Sequence, residues 1–163
     1  MSEDTRADTP ATRVLRSEGI AFTEHFYPYE EGGGTAACAK ELNIDEHSVV
    51  KTILLEGDGK PLIVLMHGDM RASAKELAKI AGVRTVLPCA AHRSEEYTGY
   101  EPGGISPFGT RTQIPVYMEE TILNLRKIFI NGGKRGYVIG MDPYDVVKIL
   151  RPAIVKVGSA RGT

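Results

Sequence analysis

The 163-residue sequence is poor in the features that settle a function at sight. Its two cysteines, Cys38 and Cys89, form neither a CxxC pair nor any zinc-ligand spacing. Two isolated thiols fit a reduced, cytoplasmic protein. No apolar run approaches the roughly 18 residues of a membrane span, so no membrane association is expected. Neither sign of charge dominates: 20 Lys and Arg against 21 Asp and Glu leave a net −1. Polyanion binding over the whole surface is thereby excluded, and a nucleic-acid contact has to be a local patch. The opening MSEDTRADTP is acidic and lacks an apolar segment, so residues 1–8 are expected to be a disordered lead-in and not a secretory signal. GxSxG and GxxxxGK[ST] are both absent. His25, His47, His67 and His92 lack metal spacing; only His92 and Glu95 fall one helical turn apart, and two ligands do not make a site. No metal and no cofactor are expected.

What is present is an ordinary globular composition, 42% hydrophobic and 25% charged, in a length that suits one domain. Thr9-Pro10 opens an amphipathic helix that Gly19 ends. FTEHFY (22–27) alternates as a strand, EGGG (31–34) breaks the chain, and TAACAKEL (35–42) is helical, with Cys38 read as small helix packing. VVKTILLE (49–56) and PLIVLM (61–66) flank an Asp-Gly turn and predict a β-hairpin. Ser73 and Glu76 form a capping box for a helix over 73–82. A strand over 83–87, a helix over 91–98 and strands over 114–119, 126–130 and 137–141 follow. Asp142-Pro143 starts a last helix that Pro152 stops. The prediction is a single α+β domain over 9–157, with a mixed, mostly antiparallel sheet, interspersed helices and a tail over 158–163.

Three features could carry chemistry. Lys51 is a lone cation in an apolar strand: either a solvated side chain, or an ammonium in a cleft that neutralises a phosphate or polarises a carbonyl. NGGKRG (131–136) pairs two glycines with Lys134 and Arg135, which suits an anion approached closely by backbone, or a solvated hairpin turn. GYEPGGISPFG (99–109) mixes Gly103-Gly104 with Pro102 and Pro107, a loop of fixed shape. Its amides at Gly103, Gly104 and Ile105, with the Ser106 hydroxyl, could face an oxyanion; otherwise it is a surface loop packed by Tyr100 and Phe108. Glu119 and Glu120 fall on opposite strand faces and are not expected to pair as acid and base.

TPATRVLRSEGIAF, VVKTILL, GYEPGGISPFG and INGGKRG, in that order and spacing, resemble the YbaK/ProX family, free-standing relatives of the editing domain inserted in bacterial prolyl-tRNA synthetases. The resemblance covers about residues 9–157. It implies the YbaK-type fold and a trans-editing deacylase that hydrolyses the ester of mischarged tRNA, with tRNA(Pro) carrying Cys, Ala or another small amino acid as substrate. It implies that Lys51, Gly103 and Gly104 are catalytic. Tyr27, Thr52, Ile105, Ser106, Asn131, Gly132, Gly133, Lys134 and Arg135 would bind substrate, without metal or covalent nucleophile. The implied partners are the aminoacyl-tRNA acceptor end and, in a transient complex, prolyl-tRNA synthetase. A non-catalytic aminoacyl-tRNA or synthetase-binding module is the alternative. Two positions depart from the cysteine-specific pattern: Val138 stands where an acidic residue is common, and EEGGG (30–34) lacks the usual aromatic. MHGDMR (66–71) is similar to a segment of synthetase-inserted and alanine-specific relatives.

Overall fold

In a computed structural model that describes residues 7–160, five helices surround a mixed sheet. Helix α1 (Pro10–Ser17) starts as its sequence dictates. The Thr9 hydroxyl accepts from the Thr12 amide at 3.1 Å, and the Thr12 hydroxyl accepts from the Thr9 amide at 2.9 Å. Strand β1 (Thr23–Phe26) and helix α2 (Gly34–Leu42) lead to β2 (Val49–Gly57) and β3 (Lys60–His67). These two strands are joined by Asp58 and Gly59 at φ 50° and 84°, the two left-handed positions of a type I′ turn. Then come β4 (Met70–Ala72), α3 (Ala74–Ala81), β5 (Val86–Pro88), α4 (Ala91–Thr98), β6 (Val116–Glu119), β7 (Ile128–Lys134), β8 (Tyr137–Met141), α5 (Pro143–Leu150), β9 (Ala153–Val155) and β10 (Gly158–Ala160).

The main sheet runs β1-β8-β7-β2-β3-β6-β9, with β5 also paired to β2, and β4 with β10 forms a separate ribbon. The β2–β7, β3–β6 and β6–β9 pairs are parallel and the others antiparallel. Central β3 is covered on both faces, which explains its unbroken apolar run. Ile63 and Leu65 join the core that includes Leu15 of α1 and Val146 of α5, while Leu62, Val64 and Met66 join the core under Leu77 of α3.

Several boundaries differ from the sequence reading for local reasons. The Asp58 carboxylate accepts from the Arg84 and Thr85 amides at 3.0–3.2 Å, so residues 84–85 stay a loop and the strand expected over 83–87 becomes Val86–Pro88. Residues 158–160 are not a tail: they pair as β10 with β4, and the buried Glu119 carboxylate accepts from the Val157 and Gly158 amides at 2.8 Å each. At the other end Ala7 is buried and its amide donates to Glu24, so the packed structure begins before residue 9. The rest of the expected lead-in lies outside the described residues. NGGKRG is not one turn. β7 continues through Asn131-Gly132-Gly133 to Lys134 by an irregularity in its pairing with β8, and only Arg135 and Gly136 turn.

The feature that positions the site is where β2 and β7 part. Their parallel ladder holds for two residues, Val49↔Phe129 and Val50↔Ile130, and stops. Farther along the same edge β5 pairs with Leu55, Glu56 and Gly57. A two-residue hairpin closes on a hydrogen-bonded pair, here Gly57 with Lys60, so Leu55, Ile53, Lys51 and Val49 direct their peptide groups toward β3. The Gly68 amide bonded to the Val49 carbonyl at 2.6 Å fits this alternation. Val50, Thr52 and Leu54 therefore direct theirs to the opposite edge, and between β7 and β5 the Thr52 peptide groups face the gap.

Candidate active site

The gap is a cavity of about 360 Å³. Of the residues singled out in the sequence, Tyr27, Lys51, Thr52, Gly103, Ile105 and Asn131 line it. The cavity also takes in Glu30, Gly32 and Gly34 of the EEGGG segment, together with Val138, so both departures from the cysteine-specific pattern lie in its wall.

Lys51 reaches back along the sheet, and its Nζ donates to the Gly68 carbonyl at 3.4 Å. Thr52 contributes a hydroxyl that is buried and has no hydrogen-bond partner among the described residues. Leaving such a group unmade costs about 1–3 kcal/mol, and Thr52 is one of the residues that line the cavity. Val49, Val138 and Cys38, each under 5% exposed, give the cavity a neutral apolar wall. Burial pushes the Tyr27 phenol up to about 12, and the Cys38 sulfur with which it hydrogen-bonds adds to the rise. Burial also pushes the Cys38 thiol up to about 11, against a smaller lowering by Tyr27. A thiol so held is protonated at neutral pH and is no nucleophile.

The glycine-proline loop and NGGKRG lock each other in place. The Asn131 carboxamide donates to the Gly103 carbonyl at 3.2 Å and accepts from the Gly133 and Lys134 amides at 2.6 and 3.2 Å. The Arg135 guanidinium donates to the Pro102 carbonyl at 2.8 Å, lies 3.6 Å from the Glu101 carboxylate and sits over the Tyr29 ring. Gly103, at φ 87°, touches the Tyr29 hydroxyl where a Cβ would sit.

Six of the expected site residues are not cavity-lining. Gly104 packs against the Lys134–Arg135 backbone, and its amide is used within the loop on the Glu101 carbonyl at 2.9 Å. Ser106 is fully buried, and its hydroxyl accepts from the Phe108 amide at 3.2 Å. Gly132 lies on the Tyr137 ring and gives its carbonyl to the Thr9 hydroxyl at 2.6 Å, while Gly133 packs on Tyr100. Lys134 and Arg135 are exposed beside the loop. Sequence reasoning missed Tyr29, Thr35 and Cys38 as lining residues, since nothing in their spacing marks them. It also missed a cluster outside the cavity: His47, His67 and Asp69 bring ligand-type atoms within 4.8 Å of one another.

A lysine, a threonine with an orphan hydroxyl and a strand edge meet at one apolar-walled cavity, in a single α+β domain. The family model for the aminoacyl-tRNA editing domain matches residues 30–149, and the chain belongs to that family. It is 28% identical over 147 residues to an Enterococcus faecalis protein assigned as a Cys-tRNA(Pro)/Cys-tRNA(Cys) deacylase, EbsC, covering 89% of this chain and 90% of the relative. A proline–tRNA ligase of Lactobacillus helveticus is 27% identical over 99 residues, which are 61% of this chain and 18% of the ligase. Among solved structures, the hypothetical protein APE2540 superposes with a TM-score of 0.84 at 21% identity, over 92% of this chain and 99% of that one. A structure described as a trans-editing enzyme for prolyl-tRNA synthetase gives 0.81 at 18%, over 95% and 100%. These two likenesses establish the YbaK-type fold. No helix among the described residues is long and apolar enough to cross a membrane.

Proposed function

We propose that this protein is a trans-editing deacylase that removes a small amino acid from the 3′ end of mischarged tRNA, with tRNA(Pro) as carrier and the cytoplasm as its place of action. The observation that carries the reading is that Lys51 and Thr52, whose buried hydroxyl has no partner among the described residues, line one cavity. In this reading the amino acid lies against Val49, Val138 and Cys38. Thr52 and the backbone at Gly103 and Ile105 take the polar groups of the acyl end, and Lys51 neutralises the phosphate or the carbonyl oxygen. Water attacks the carbonyl carbon, the ribose hydroxyl leaves with the proton, and the free amino acid and tRNA result. Proximity and charge stabilisation supply the acceleration, since the Cys38 thiol is held protonated. Lys134 and Arg135, exposed beside the loop, are placed to meet acceptor-end phosphates, which makes binding salt-sensitive. Contact with prolyl-tRNA synthetase during transfer belongs to the same reading.

The test is release of labelled amino acid from a panel of mischarged tRNAs, with Lys51→Ala in parallel. Release by wild type and its loss in a folded Lys51→Ala variant is the expected result. Tight tRNA binding without release from any pair would favour a non-catalytic binding module.

A further inference from the structure

The Gly68 carbonyl that receives Lys51 is held on both sides by one residue, His47. On one side, the fully buried His67 ring stacks beneath His47 at 3.7 Å and 6°, and its Nδ1–H donates to the His47 carbonyl at 2.7 Å. With that tautomer, His67 Nε2 accepts from the Thr121 hydroxyl at 2.7 Å. On the other side, the His47 Nδ1–H donates to the Asp69 carboxylate at 2.9 and 3.1 Å. Gly68 has no room for a side chain: a Cβ there would lie 2.6 Å from the Thr35 hydroxyl and 3.0 Å from the Glu46 carbonyl. The Thr35 hydroxyl lies 3.2 Å from the Gly68 carbonyl and donates to Glu46 at 2.7 Å.

A metal ion does not explain this cluster. Rings stacked nearly parallel direct their in-plane lone pairs side by side, not toward one point, and both His67 nitrogens are already engaged. Hydrogen bonds on either side of a single carbonyl do explain it, because they restrict where that oxygen lies.

We propose that His47 and Asp69 are positioning residues for Lys51, acting through the Gly68 carbonyl. This rests on the reading of the cavity as a deacylase site. Neither residue lines the cavity, yet both set where the ammonium sits, and a reacting group displaced by about 1 Å loses much of its effect.

Three variants of the full chain test the proposal by single-turnover kinetics on the mischarged tRNA that wild type cleaves fastest. Asp69→Ala removes the acceptor of the His47 N–H, Asp69→Asn keeps a carbonyl oxygen there, and His47→Phe keeps the stacked ring but removes the donor. Asp69→Ala and His47→Phe are expected to slow the reaction about tenfold, with the half-saturating concentration within about twofold of wild type and Asp69→Asn close to wild type. In protein labelled with ¹³C-lysine, the Lys51 Cε signal, assigned by its loss in Lys51→Ala, should move in Asp69→Ala and stay in Asp69→Asn. Wild-type rates in Asp69→Ala, equal losses in both Asp69 variants, or an unmoved Lys51 signal would overturn it. If wild type cleaves no ester, the functional reading fails, and the Lys51 signal alone decides the positioning role.

Discussion

Asn131 holds Gly103 by a hydrogen bond of 3.2 Å from its carboxamide N–H to the glycine carbonyl, while its oxygen keeps the Gly133 amide at 2.6 Å. One side chain thus ties the glycine-proline loop to the end of β7, 28 residues on, and fixes the cavity rim. Asn131→Asp keeps the acceptor and loses the donor, setting a carboxylate against a carbonyl. Deacylation is expected to fall about tenfold with a small change in melting temperature, as for loss of a partly exposed hydrogen bond. Parallel measurement of rate and Tm checks this.

Gly104 tests the loop in another way. A Cβ there would lie 2.9 Å from the Arg135 nitrogen and 3.0 Å from the Lys134 carbonyl carbon, both backbone atoms. Gly104→Ala must push the two loops apart. The expected cost is about 1–3 kcal/mol of stability, read by chemical denaturation, with activity lost alongside.

Thr52→Val separates binding from stability. The change removes a hydroxyl that is buried without a partner, so the free protein should be as stable as wild type or more so. Turnover should nevertheless fall, because the ligand loses the group that answers it. A variant that melts earlier and turns over normally would show that the hydroxyl serves the fold.

The neutral wall predicts a response to alkali. Burial raises the Cys38 thiol from 9.0 to about 11 and, with Cys38 beside it, the Tyr27 phenol from 10.0 to about 12. For acids raised by folding, the fold favours the protonated form. That stability is complete below the unfolded value and is lost as pH rises through the folded one. Tm should therefore fall between about pH 9 and 11 on this account, and Cys38→Ala should flatten the decline.

Much of this was legible in the sequence because it rests on local chemistry. Thr9-Pro10 starts α1, Asp58-Gly59 makes the hairpin, and Asp142-Pro143 starts α5 as read. The three-residue strands β4, β9 and β10 were not, since three residues are too few to show a period of two. The site divides in the same way. Lys51 stands out as a charge in an apolar strand and does line the cavity. Glycine-rich motifs show that backbones approach closely without showing what approaches them. At Gly132 it is the Tyr137 ring, and at Gly104 another loop. The His47–His67–Asp69 cluster depends on β2–β3 register and a ring stack, neither of which leaves a spacing signature.

The early end of the β2–β7 ladder gives the cavity a floor made partly of main chain. Side-chain replacement cannot delete a peptide group, so a set of alanine variants around the cavity would leave the Thr52 amide and carbonyl untouched. Residual turnover would then be expected in every such variant that keeps Lys51, and selection would find this part of the recognition the hardest to erode. On the proposed reading, sequence drift would alter which amino acid fits the wall while the means of gripping its shared backbone stayed the same.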